Sequence, residues 1–178
     1  MRRFLPAAAF LLIAACTDAG STQNAPAAPA PATLTGRYRA LSGTAQSITG
    51  SVTIEHGGLI FDNGAVIYTR TLNPRRGGDL IARNGDSYAA VAVGPGELTI
   101  ELRRVREQAL TGGAQGLCGP QTPTYVALAY QERATAVTIL VFSGEEPPGP
   151  QATQTQLCAT FAYAAPDGAR TRQGVVLQ

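Results

Sequence analysis

The sequence predicts an all-β fold: a single antiparallel β-barrel or β-sandwich of about eight strands. Three observations predict it. Residues 34–178 carry short runs rich in Val, Ile, Thr, Tyr and Phe, many alternating apolar with polar as a half-buried strand does. Clusters of Gly, Pro, Asn and Asp separate the runs, as turns require. No window sustains the 3.6-residue apolar period of an amphipathic helix.

Taken in order, LTGRYRAL (34–41) alternates, and SITGSVTIE (47–55) does so with β-branched residues. LIF (59–61), Asp62-Asn63-Gly64 and AVIYTRTL (65–72) read as a hairpin, because Asn-Gly suits a tight turn. DSYAAVAV (86–93), Gly94-Pro95-Gly96 and ELTIELRRVR (97–106) read as a second hairpin, with room for a short helix near 106–110. TYVALAYQE (124–132) and TAVTILVFSG (135–144) make a third, and QLCATFAYA (156–164) and GVVL (174–177) complete the set.

Face assignments follow from the two-residue strand period. In 135–144, Val137, Ile139 and Val141 face one way and Leu140 and Phe142 the other, so this strand, like 156–164, is expected to be covered on both sides. In 97–103, Leu98, Ile100 and Leu102 oppose Glu97, Glu101 and Arg103, which predicts one buried face and one wet, charged face.

The chain begins with Arg2 and Arg3, then an apolar run from Phe4 to Ala15. That run is well short of the roughly 20 residues needed to span a bilayer, so residues 1–15 read as an export signal. Ile13-Ala14-Ala15-Cys16 resembles the bacterial lipobox. The resemblance implies cleavage before Cys16 and lipidation of Cys16, whose acyl chains give stable anchoring. It also bears on sorting: in enteric bacteria an aspartate after the lipidated cysteine retains the protein at the inner membrane, and Thr17 here favours the outer one. Residues 16–33 form the lipidated start and an Ala/Pro-rich tether with no bulky apolar residue before the β domain, 34–178. At about 3.1 Å per residue the tether reaches at most roughly 50 Å.

With Cys16 assigned to lipid, Cys118 and Cys158 are left as an even pair in an oxidising compartment, and a disulfide is expected. Two cysteines and the single histidine do not complete a tetrahedral zinc site. In a plain meander, strands 124–132 and 156–164 lie about 10 Å apart, too far for a disulfide. The loop Gly116–Pro120 is therefore expected to fold back over the sheet end, unless the strands pair in another order.

Composition narrows function. Of 14 basic residues Arg2 and Arg3 leave with the signal, so 12 face 12 acidic residues and nucleic acid is not an expected partner. All the basic residues are arginine, which rules out a Schiff-base lysine, a P-loop lysine and a Ser-x-x-Lys site. His56, before a Gly-Gly turn, reads as a solvated turn residue, and no Gly-x-Ser-x-Gly elbow accompanies it. No cofactor or metal site is expected.

Binding candidates are Arg75, Arg76, Arg103, Arg104 and Arg106 as an anion patch, and Glu145 and Glu146 in the Pro-rich loop 144–155. Tyr125, Tyr130 and Tyr163 read as packing residues.

Signal, lipobox, tether and compact β domain together resemble small bacterial envelope lipoproteins. Cys118-Gly119-Pro120, Phe142-Ser143-Gly144 and Leu157-Cys158-Ala159-Thr160-Phe161 are similar to a pattern in uncharacterised proteobacterial lipoproteins. Ser42-Gly43 and Ser143-Gly144 match the Ser-Gly dipeptide of lipoprotein lysozyme inhibitors, although the lysine of that recognition element is missing. The expectation is a non-catalytic, lipid-anchored protein facing the periplasm that binds a periplasmic protein or small ligand. The alternatives are a lysozyme-type inhibitor and an assembly subunit of the envelope.

Overall fold

The computed structural model describes residues 33–94 and 97–166. The signal, Cys16, the tether and the GVVL segment lie outside the described residues.

The strands are β1 (Gly36–Ala40), β2 (Val52–Glu55), β3 (Gly58–Phe61), β4 (Ala65–Thr71), β5 (Arg75–Arg76), β6 (Thr99–Leu110), β7 (Tyr125–Tyr130), β8 (Ala136–Ser143) and β9 (Gln156–Ala164). Each pairs antiparallel with its neighbour in the chain, β4 pairs with β6, and β9 returns to β1. The result is a closed, eight-stranded up-and-down barrel. The short β5 pairs with Thr99 and Ile100, beyond the β4 ladder on the same edge of β6. Of barrel and sandwich, the barrel forms.

Two predicted strand segments include helix, the first only at its start and the second over most of its length. Within 47–55 only Val52–Glu55 is strand, because Gly43–Ile48 forms α1, capped by the Ser42 hydroxyl accepting from Ala45 N at 3.2 Å. Within 86–93, Tyr88–Ala92 forms α2, capped by Ser87 accepting from Ala90 N at 3.2 Å. There the run Tyr-Ala-Ala-Val-Ala is apolar throughout, so periodicity does not separate helix from strand, and alanine's helix preference with the serine cap decides. The second expected hairpin is therefore a helix leading into a strand. The short helix for which 106–110 left room does not form: β6 stays extended through Leu110, held by β4.

The Asp62-Asn63-Gly64 hairpin forms as expected. Gly64 has φ +95°, Asn63 Oδ1 accepts from Ala65 N at 2.9 Å, and a Cβ at Gly64 would meet Thr111 O at 2.6 Å. Only glycine fits that approach.

Two cores result. The barrel interior is filled by residues including Tyr38, Ile54, Phe61, Leu128, Ile139 and Phe161. A second layer covers the outside of β6, β7 and β8, where Tyr88 and Ala89 of α2 join Ile100, Leu102, Leu140 and Phe142. Outward Ala127 and Ala129 on β7 present small side chains to this layer. β8 behaves as expected, with Val137, Ile139 and Val141 inside and Leu140 and Phe142 outside. β9 is covered less than expected: Phe161 and Tyr163 are buried, whereas Leu157 is 40% exposed. Its lining role is carried instead by β7, which is buried at all six positions.

The disulfide joins Cys118 to Cys158 with Cα atoms 5.1 Å apart. The strands pair in chain order, and the β6–β7 connection folds back so that Leu117 and Cys118 pack on the interior cluster. Cys158 is the extra residue where the β8–β9 register shifts, between Ala159 opposite Val141 and Leu157 opposite Phe142. The shift is a β-bulge, which re-aims a side chain and here carries the half-cystine. Among the described residues no helix is long and apolar enough to cross a membrane.

Candidate functional site

β6 is turned over relative to the sequence expectation. Glu101 and Arg103 pair with Leu128 and Val126, whose side chains fill the barrel, and both charged residues point inward with them. Arg103 is fully buried and Glu101 is 5% exposed. Ile100 and Leu102 face out, into the second layer. The expected wet face is thus the inner one, and the reason is the apolar cover that α2 and its neighbours lay over the outer face.

Arg103 Nε donates to Glu101 Oε1 at 2.8 Å. Its Nη1 donates to Glu55 O at 2.6 Å and its Nη2 to Leu34 O at 3.1 Å. Glu101 Oε2 accepts from Leu34 N at 2.8 Å. Both backbone groups of Leu34 are therefore held by β6, and the chain is clamped just before β1 begins. A buried pair endures only when paired and hydrogen-bonded in this way. Arg103 belongs to this clamp and not to a surface anion patch.

The remaining arginine candidates also separate. Arg75 is half-buried beside Tyr88; burial pushes the Tyr88 phenol up to about 12, against the opposing pull of the Arg75 guanidinium. Arg76 is exposed, and its backbone N donates to Asp79 Oδ2 at 2.9 Å. These two sit opposite Ile100 and Thr99, roughly 13 and 17 Å along β6 from Arg104 at about 3.3 Å per residue.

Arg104 and Arg106 do come together, on a surface groove of about 540 Å³ whose walls also include Gln108, Thr122, Tyr125 and Glu145. Arg70, which the sequence reading passed over, stands directly opposite Arg104 across the β4–β6 ladder. Arg106 is the extra residue where that ladder shifts register. Only the strand pairing brings Arg70 beside Arg104, and no local sequence signal announces it.

The loop 144–155 is tied down. Tyr88 donates to Pro148 O at 3.2 Å, Tyr125 to Glu145 O at 3.1 Å, and Gly149 N to Ile81 O at 2.7 Å. Glu146 accepts from Thr153 N at 2.7 Å and Gln154 N at 3.2 Å, which holds its carboxyl below the usual range. Glu146 is thus an internal brace of the loop, whereas the exposed Glu145 lines the groove.

His56 is exposed in the β2–β3 turn. Tyr130 and Tyr163 are interior packing residues and Tyr125 belongs to the outer layer. Tyr163 shares a 2.7 Å hydrogen bond with Thr49 at the end of α1. Among the described residues no three His, Cys, Asp or Glu side chains gather to hold a metal.

The fold and its surface groove define a disulfide-stapled, eight-stranded up-and-down β-barrel with a packed interior. No family model, curated protein or solved structure matches the chain.

Proposed function

We propose that this is a non-catalytic, lipid-anchored protein of the bacterial envelope that binds a periplasmic partner or ligand on the outer wall of its barrel. The observation that carries the outer-wall assignment is the filled interior. Tyr38, Phe161 and Tyr163 are fully buried across it, and the Glu101–Arg103 clamp occupies it as well. A barrel packed in this way leaves binding to its surface, and the groove beside β6 gathers charged side chains and polar backbone. The anchor rests on Cys16 and the apolar run before it, and Thr17 favours the outer membrane, facing the periplasm.

The test is intact mass of the chain extracted from membranes, before and after reduction, with a photocrosslinker at Thr122 in the groove or at Thr44 on α1. The proposal expects an acylated chain beginning at Cys16, a mass gain of two hydrogens on reduction, and partner crosslinks from Thr122 but not Thr44. An unacylated soluble chain, or equal crosslinking from both positions, contradicts it.

The lysozyme-inhibitor reading keeps one supporting observation, that Gly144 lines the same groove. Ser143 beside it is 6% exposed and donates to Gln121 Oε1 at 2.9 Å, which leaves its hydroxyl no outward role. A lysozyme assay with the purified chain decides it.

A further inference from the structure

We infer that the outer face of β6 at this groove is an oxyanion site, taking a single carboxylate or phosphate group through Arg104 and Arg106 of the groove and Arg70, the cross-strand neighbour of Arg104. The inference rests on the surface-binding reading above and names the ligand chemistry.

Arg70 and Arg104 are direct cross-strand neighbours. Like charges placed opposite each other repel, and opposite-charge pairs are the favourable arrangement at such positions. Yet among the described residues the ion pairs are Arg37–Asp62 and Arg103–Glu101, so none of Arg70, Arg104 and Arg106 is paired with a carboxylate. The register shift adds Arg106 to the same stretch of β6, concentrating positive charge where the ladder is irregular. Guanidinium forks match the two oxygens of a carboxylate or phosphate, and an oxyanion seated between them turns the repulsion into shared attraction.

Glu107 and Glu145 also line the groove. Their charge opposes a densely charged polyanion and leaves room for one isolated oxyanion. The rest of the wall is uncharged and mixed, with Val105 and Pro123 beside the exposed Thr122 and the Thr124 hydroxyl committed to Gly144 O at 2.6 Å.

The experiment is calorimetric titration of the mature full-length chain in neutral detergent with three probes: inorganic phosphate, N-acetylglycine and glycerophosphoglycerol. Saturable binding to at least one is expected, weakened tenfold or more in Arg104→Gln and in Arg106→Gln and weakened further by salt. Arg133→Gln, an exposed arginine of the β7–β8 turn, leaves it within twofold. Preference for the carboxylate assigns the source to a peptide or wall polymer. Preference for the phosphodiester assigns it to a lipid headgroup, and preference for the free ion to phosphate itself. No saturable binding to any probe overturns the inference, as does equal weakening by Arg133→Gln. Partner crosslinking through Thr122 without oxyanion binding overturns this inference alone and leaves the surface-binding reading in place.

Discussion

The two faces of β6 solve the problem of burial in opposite ways. Outward, Ile100 and Leu102 meet α2 and the outer faces of β7 and β8 in an apolar layer. Inward, Glu101 and Arg103 enter the barrel and make four hydrogen bonds to one another and to backbone. The apolar layer gains from area removed from water and tolerates changes of shape. The inner pair gains little over an apolar isostere, but it is intolerant of losing one member. What it adds is position, since it fixes Leu34 where the chain enters the barrel.

That contrast is broken most severely by Arg103→Ala, which leaves Glu101 Oε1 and the carbonyls of Leu34 and Glu55 without the guanidinium donors. A loss of about 3–5 kcal/mol is expected in urea denaturation. Reducing Cys118–Cys158, separated by 40 residues, is expected to cost about 4 kcal/mol by the same assay. Leu102→Ala in the outer layer is expected to cost about 3 kcal/mol, and unlike the inner pair this loss is expected to be largely recovered by Leu102→Met.

Arg104→Gln runs the other way. It removes a like-charge neighbour of Arg70 and is expected to stabilise the unliganded chain by about 0.5 kcal/mol, a gain that high salt diminishes. The smallest effect belongs to Glu146. Its carboxyl is held below its ordinary value of 4.5 by the Thr153 and Gln154 N–H groups. The brace therefore contributes fully above pH 4.5 and is lost as pH falls through the lower folded value. The Thr153 and Gln154 amide resonances are expected to shift over that acid window.

Much of the barrel is legible in the chain. Asn63-Gly64 marks a hairpin, β8 declares apolar residues on both faces, and the Cys118–Cys158 distance constraint predicts the fold-back of the β6–β7 connection. The misreadings share a cause. Alternation along β6 reveals two faces, but which is inside depends on whether another layer covers the outer one. That layer is built around α2, itself concealed by an all-apolar run that fits strand as well as helix. The groove is half legible: Arg104, Arg106 and Glu145 stand out in the sequence, but alternation alone puts Arg103 on the wet face with Glu101. Arg70 lies in another strand, and only the ladder brings it to Arg104.

The most direct test of the account is a double-mutant cycle with Glu101→Gln and Arg103→Met, read by urea denaturation. The buried clamp predicts a coupling of at least about 2 kcal/mol, with the double variant less destabilised than the two single losses summed. A coupling below about 0.5 kcal/mol, the range of an exposed surface pair, would place these charges in solvent and return β6 to the orientation its alternation first suggested.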